Sequence, residues 1–163
     1  MDEQLNYFIK VIKEADETIK NVFIFSHKLL WTVKTSKYQV VYKHLNSQNG
    51  YQYDSNFLGC IIPVLNDLAK DKNVFWISGD IGCSWSLPLF YDKDSSGITF
   101  IATGLGDTGN DIILDVNINH GNIKIQSLSL GHDMDFNDIE KYNLEYWENY
   151  FHYPFQNPFS LIN

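Results

Sequence analysis

The sequence contains few cysteines, and those it has are not clustered. Cys60 and Cys83 are its two cysteines in 163 residues. They form no C-x-x-C pair and no other zinc-ligand spacing, which argues against a structural zinc site. Free cysteine is commonly buried in proteins, so both are predicted to be small buried side chains. A disulfide between the two remains open as the alternative.

Long apolar runs are also absent. No hydrophobic stretch approaches the roughly 20 residues that cross a bilayer as a helix. The N-terminal segment MDEQLNYFIKVIKEADETIK carries charges throughout, which is not typical of a signal peptide. We therefore expect a cytoplasmic protein without membrane contact.

Basic residues are outnumbered by acidic ones. The chain has 12 Lys and Arg against 20 Asp and Glu, a formal net charge of −8 at pH 7. A protein that binds nucleic-acid phosphates needs a basic surface, so this balance argues against a nucleic-acid partner. Apolar residues are plentiful instead, with 44% hydrophobic and 15% aromatic residues. At a length typical of one domain, this composition predicts a substantial core.

Hydrophobic periodicity predicts alternating helices and strands. Apolar residues recur at helical spacing from about Glu3 to Lys20 and from Leu58 to Lys70. Continuous apolar runs follow them, Val22 to Ser26 and Val74 to Ser78, of the kind that forms strands covered on both faces. Further strands are predicted in GITFIATG and DIILDVNI, and the tight turn NHGN joins the latter to the hairpin partner IKIQSLSL. The predicted fold class is α/β with a layered architecture.

Polar residues stand at the ends of the first two predicted strands. His27 follows Ser26, and Gly79 and Asp80 follow Ser78. In open α/β sheets, ligands bind beyond the carboxyl ends of the strands, and histidine and aspartate are common ligands of divalent metals. His27 and Asp80 are therefore the candidate metal ligands of this sequence. The alternative is a structural role, with the histidine closing a strand and the aspartate capping a turn or helix.

The predicted elements follow one another in a recognisable order. The chain contains, in sequence, QLNYFIKVIKEA, NVFIFSHKLLW, VFWISGDIG, GITFIATGLGDTG and GNIKIQSLSL. Over roughly residues 4–130, this order resembles the C-terminal half of a calcineurin-like metallophosphoesterase, in which one strand ends in a histidine and a second in Gly-His-x-His. By this resemblance, His27 matches the histidine that ligates the second metal. Asp80 and Gly82 take the places of the two histidines of Gly-His-x-His.

The resemblance also implies an architecture and a division of the chain. Residues 1–134 correspond to part of a layered sandwich, the C-terminal half of a four-layer αββα fold. Beyond the part covered by the resemblance, residues 135–163 are rich in large aromatic side chains, and we expect them to form a C-terminal helix and tail that pack on residues 1–134.

The motifs that supply most of the metal ligands in that family do not occur in this sequence. It contains no Asp-x-His, no Gly-Asp-x-x-Asp and no Gly-Asn-His-Asp. The family's centre holds two metals that clamp the attacking and leaving oxygens of a phosphate ester, and His27 with Asp80 cannot hold such a centre alone. The resemblance thus implies a partial phosphoesterase domain, inactive as an isolated chain. It would bind Mn, Fe or Zn only when a complete site is assembled.

Half of such a fold exposes the sheet face that normally meets the other half. Wetting several hundred Å² of apolar surface at about 25 cal/mol per Å² costs on the order of 10 kcal/mol, comparable with the stability of a whole domain. We expect the chain to bury this face against a separately encoded N-terminal half, in a homodimer, or under its own aromatic tail. The alternative function is a non-catalytic interaction module that keeps the scaffold and binds a partner through its aromatic surface.

Overall fold

The computed structural model describes residues 3–29, 36–38, 41, 44, 57–81, 87–104, 111–130 and 137–152. This part of the chain is a mixed α/β structure. Its helices are α1 (Glu3–Lys13), α2 (Ile62–Leu68) and α3 (Leu144–His152). Its strands are β1 (Asn21–Ser26), β2 (Asn73–Ser78), β3 (Leu89–Lys93), β4 (Thr99–Thr103), β5 (Ile112–Asn119) and β6 (Asn122–Ser129). Within these residues, no helix is both long enough and apolar enough to cross a membrane.

Four strands form the main sheet, in the order β1-β2-β4-β3. The strands β1, β2 and β4 are parallel, and β3 runs antiparallel to β4. Ser26 of β1 is level with Ser78 of β2, which in turn is level with Ala102 of β4. The carboxyl ends of the three parallel strands therefore lie at one edge of the sheet. The predicted α/β class is confirmed in the described residues.

The helices α1 and α2 cover one face of this sheet. The ring of Trp76, on β2, lies 6.1 Å from the ring of Phe8 on α1 and 5.2 Å from that of Phe57. Phe57 begins a π-helical turn, Phe57–Ile61, that leads into α2. Pro63 lies in the first turn of α2, where a missing N–H costs no intrahelical hydrogen bond. The second predicted helix is thus present, beginning with this turn.

The first helix is shorter than its periodicity predicts, because α1 ends at Lys13 rather than near Lys20. The side chain of Asp16 accepts a hydrogen bond from the N–H of Thr18 at 2.7 Å, and its carbonyl accepts one from the N–H of Ile19 at 3.0 Å. Such local bonds give the backbone an alternative to the helix. A turn therefore replaces the last two predicted helical turns.

The hairpin of β5 and β6 lies on the opposite face, where Ile123 and Ile125 of β6 line a cavity together with Phe75, Tyr91 and Thr99 of the main sheet. Its two strands pair from Ile112 opposite Ser129 to Asn119 opposite Asn122. The turn between them places His120 at φ 49° and Gly121 at φ 84°, the left-handed pair that a two-residue hairpin requires. The predicted NHGN turn and its hairpin are confirmed.

Strand β3 has no counterpart among the predicted elements. Its sequence, LFYDK, has a carboxylate in the middle, and Asp92 is nevertheless buried in the sheet. The ammonium of Lys37 and the hydroxyl of Tyr38 both donate to its Oδ2 atom. A buried charge is tolerated only when it is paired and hydrogen-bonded, and here both partners come from a distant part of the chain.

The aromatic residues of α3 belong to the same core as the sheet. Trp147 is fully buried, and its indole N–H donates to the carbonyl of Tyr142 at 3.1 Å. The same carbonyl accepts the backbone N–H of Tyr91 at 3.0 Å, which ties this segment to the edge of β3. The remainder of the predicted aromatic tail, residues 153–163, lies outside the described residues.

Cys60 lies in the π-helical turn and is a half-buried free thiol. Cys60 was predicted to be buried, and in the structure it is only partly buried. Cys83, its proposed disulfide partner, lies outside the described residues.

Candidate functional site

The two candidate ligands lie next to each other at the carboxyl edge of the main sheet. His27 directly follows β1 and Asp80 follows β2 after one glycine. Because β1 and β2 are parallel and adjacent, both chains leave the sheet at the same edge. The imidazole Nε2 of His27 lies 3.2 Å from Oδ2 of Asp80. The site thus contains a histidine and a carboxylate brought together across 53 positions of sequence.

A hydrogen-bonded serine pair anchors the segment that carries His27. The hydroxyls of Ser26 and Ser78 lie 3.0 Å apart, and the indole N–H of Trp76 donates to Ser26 Oγ at 2.7 Å. Ser26 Oγ donates to the carbonyl of Lys28 at 2.8 Å, and Ser78 Oγ donates its one proton either to Ser26 Oγ or to that carbonyl, which lies 3.3 Å away. These bonds fold the chain back over the strand ends directly after β1.

That folded segment also directs the Lys28 side chain at Asp80. The ammonium of Lys28 lies 2.6 Å from Oδ2 of Asp80, the same oxygen that His27 approaches. The Lys28 side chain is 33% exposed and that of Asp80 is 19% exposed, whereas that of His27 is 76% exposed. The inner, shorter contact of the site is therefore the lysine–aspartate ion pair, and the imidazole lies on its solvent side.

Strand β4 holds the backbone of Asp80 in place. Asp80 bridges to Gly104, and the N–H of Ile81 donates to the carbonyl of Thr103 at 3.2 Å. A Cβ atom at Gly104 would lie 3.3 Å from the carbonyl oxygen of Gly79 and 3.3 Å from the nitrogen of Ile81. The close approach of the two backbones therefore depends on a residue without a side chain.

This set of donors does not fit a resident divalent metal while Lys28 occupies its present position. A metal ion on Oδ2 of Asp80 would lie close to the Lys28 ammonium, and the repulsion at such a distance is on the order of several kcal/mol before solvent screening. Within the described residues, no group of three or more His, Cys, Asp or Glu side chains is arranged to hold a metal ion. Gly82, which takes the place of the family's further histidine, lies outside those residues.

Lys28 is a site residue that the strand-end pattern did not identify. It follows His27 directly. A basic residue at one strand end, beside the predicted position of a carboxylate at the next, could have indicated an ion pair between the two. The strand-end pattern predicts His27 and Asp80 as ligands of one bound cation, whereas in the structure the chain itself supplies the cation, the Lys28 ammonium.

A second candidate surface is the open edge of β1. In the main sheet β1 pairs with β2 on one side, and within the described ranges no strand pairs with its other side. The phenyl ring of Phe25 is 72% exposed there. Phe23, on the same face of the strand, stacks on Phe75 with ring centroids 4.9 Å apart. We call this outer side of Asn21–Ser26 the β1 edge.

Comparisons with protein-family models, curated proteins and solved structures find no match for this chain. The relationship to metallophosphoesterases therefore remains a prediction from the order of the segments and from the residues at two strand ends.

Proposed function

We propose that this chain is a non-catalytic α/β interaction module, in which the polar strand ends stabilise the sheet edge instead of binding a catalytic metal. The observation that carries the proposal is the 2.6 Å contact between the Lys28 ammonium and Asp80 Oδ2. An ion pair within the protein already neutralises the carboxylate that a metal centre would need. The hydrogen bonds that orient Lys28 come from residues of β1 and β2, so its position is built into the fold.

The β1 edge supports the interaction part of the proposal. A strand edge with unpaired backbone groups can add a further strand, and an exposed phenylalanine beside it offers apolar surface to a partner.

Metal binding and hydrolysis test the non-catalytic part. The wild-type chain, His27→Ala and Lys28→Met are titrated with Mn²⁺ and with Zn²⁺ by calorimetry, and hydrolysis of bis(4-nitrophenyl) phosphate is followed with each metal present. We expect wild type and His27→Ala to be indistinguishable in both assays. Metal-dependent turnover by wild type that His27→Ala abolishes would overturn the proposal.

A second candidate function is the C-terminal half of a metal-dependent phosphoesterase, with the layered αββα architecture completed by another chain. The specific observation in its favour is the 3.2 Å approach of the His27 imidazole to Asp80. In this alternative, His27 and Asp80 would hold Mn, Fe or Zn together with ligands from a complementary half, and Lys28 would have to leave the carboxylate. It predicts that Lys28→Met, mixed with the complementary half, binds Zn²⁺ at least tenfold more tightly than wild type does in the same mixture, and that adding His27→Ala reverses this gain.

A further inference from the structure

A cavity of about 330 Å³ lies between the main sheet and the β5–β6 hairpin. On the sheet side it is lined by Phe75 of β2, Thr99 of β4 and Lys93 of β3, which the strand register places side by side in one row. Thr99 begins β4, and Lys93 ends the antiparallel β3. The cavity therefore lies at the amino edge of the parallel strands, the edge opposite to the Lys28–Asp80 ion pair.

Apolar side chains form one part of the lining. Phe75 of the sheet, Ile123 and Ile125 of the hairpin, and Ile139 at the start of a single helical turn border the cavity. Phe75, Ile123 and Ile125 are only half-buried, and covering their apolar surface with a ligand is favourable. The volume is at the lower end of the roughly 300–1,000 Å³ that ligand pockets occupy, which limits the ligand to a small molecule.

Two charged side chains of opposite sign line the same cavity, Lys93 and Glu140. Lys93 shares its face of the sheet with Tyr91, because alternate residues of a strand point to the same side. The phenol of Tyr91 interacts with the Glu140 carboxylate and with the hydroxyl of Thr99. Burial, together with the charge of Glu140, raises the pKa of Tyr91 to about 12. The phenol therefore stays protonated at neutral pH and can donate to that carboxylate.

The two charges do not neutralise each other. Among the ion pairs of the described residues, none joins Lys93 to Glu140 or to another carboxylate. Lys124 and Asp138 also border the cavity, and they add one charge of each sign. A purely cationic ligand is repelled by Lys93 and a purely anionic one by Glu140, whereas a ligand with both signs can form a charge-assisted hydrogen bond to each. Charge complementarity thus favours a zwitterion.

We infer that this cavity binds a free amino acid with an apolar side chain, of the size of leucine or phenylalanine. The α-carboxylate of the ligand binds the Lys93 ammonium, and its α-ammonium binds the Glu140 carboxylate. Its side chain lies against Phe75, Ile123 and Ile125. The inference goes beyond the proposed function, because the cavity lies at the other edge of the sheet.

Calorimetric titration with matched ligands tests this inference. The probes are L-leucine and L-phenylalanine, together with isocaproate, which is leucine without its amino group, and isoamylamine, which is leucine without its carboxylate. We expect leucine to bind at least about tenfold more tightly than either analogue, because each analogue leaves one charged side chain of the cavity without its hydrogen bond. A wild-type chain that binds neither amino acid, or that binds either analogue as tightly as leucine, overturns the inference.

Two variants assign the two charged contacts separately. Lys93→Met is expected to abolish the preference for leucine over isoamylamine and to keep the preference over isocaproate. Glu140→Gln is expected to do the reverse. A merely structural defect would weaken all ligands together, so the crossed pattern is the decisive readout, and unchanged preferences in both variants overturn the inference. The matched controls are Lys10→Met and Glu14→Gln, at exposed positions on or next to α1, which are expected to bind like wild type.

Chemical-shift mapping by NMR locates the ligand without any variant. Leucine is expected to shift the amide signals of Thr99, Ile123 and Ile125 and to leave that of Val64 on α2 unchanged. Shifts confined to α1 and α2 overturn the inference. These measurements involve neither metal binding nor hydrolysis, so the amino-acid site and the proposed function can fail independently of each other.

Discussion

The ammonium of Lys28 and the carboxylate of Asp80 form an ion pair of 2.6 Å at the carboxyl edge of the main sheet. The pair is shielded from solvent on its inner side and joins the ends of two parallel strands. Within the described residues, Asp80 is the only carboxylate that directly follows β2 at this edge. The Lys28 ammonium places a positive charge beside it, and this charge disfavours the binding of a metal cation there.

The energetic coupling of this pair is the first prediction. We would measure it by urea unfolding of Lys28→Met, Asp80→Asn and the double variant. We expect a coupling free energy of roughly 1 kcal/mol, which is at the upper end of the values found for partly exposed ion pairs. The matched control is the exposed pair Lys70 and Asp67, 2.7 Å apart on the surface, for which we expect no measurable coupling. Equal coupling in both pairs would contradict the structural role assigned to Lys28.

Replacing Gly104 and Gly59 by alanine, one at a time, is expected to change the unfolding free energy in opposite directions. Gly104→Ala pushes a Cβ against backbone atoms of Gly79 and Ile81 at 3.3 Å, and these atoms cannot move aside as a flexible side chain would. We expect a loss of about 1–2 kcal/mol in unfolding free energy. Gly59→Ala meets nothing within 4 Å, lies in a helical turn, and is expected to stabilise by roughly 0.5 kcal/mol. Thermal unfolding of both variants measures the contrast.

The buried phenol of Tyr38 makes the stability of the chain sensitive to alkaline pH. Burial, together with the nearby Asp92 carboxylate, raises the pKa of Tyr38 above its ordinary value. A group whose pKa is raised on folding contributes stability that is fully present below its unfolded pKa of about 10 and is lost as the pH rises above it.

Unfolding free energy is therefore expected to fall above about pH 10, and Tyr38 alone contributes a slope of roughly 1.4 kcal/mol per pH unit. Tyr38→Phe should be less stable at neutral pH, because Asp92 loses a hydrogen-bond donor, and its stability should fall less steeply in the alkaline range. Urea unfolding between pH 8 and pH 11 measures both slopes. Identical slopes would show that Tyr38 titrates normally in the folded chain.

Trp147 is expected to be among the most sensitive positions in the chain. Its ring is fully buried and contacts Tyr142, Tyr146 and Tyr150. Trp147→Ala should cost roughly 3–5 kcal/mol, the usual cost of removing a large buried ring. Tyr7→Ala, at an exposed position on α1, should change the unfolding free energy little. If Trp147→Ala unfolds at the wild-type urea midpoint, α3 is not part of the core.

Local patterns predicted most of the elements but not where all of them end. The periodicity of α1 continues past Lys13, and only the turn at Asp16 decides that the helix stops there. Strand β3 escaped prediction because the carboxylate of Asp92 interrupts an otherwise apolar segment. Its burial depends on Lys37 and Tyr38, which are more than 50 positions away, and no local pattern reports such a pairing.

The same distinction applies to the candidate site. His27 and Asp80 were identified because the end of a strand is a local feature, and parallel neighbours bring their ends to one edge. The ion pair of Asp80 with Lys28 was not identified, because it depends on how the segment after β1 folds back onto the serine pair.

The sequence by itself determined most of the segments that become helices and strands, with β3 as the exception, as well as which polar residues stand at the strand ends and where the β5–β6 hairpin turns. These properties follow from short-range spacing and from the conformations that individual residues allow. Only the tertiary structure decided the order of the strands, the burial of Asp92 and the choice of Lys28 as the partner of Asp80. Each of these depends on contacts between residues far apart in the chain. Such contacts stabilise the structure only once the sheet has assembled.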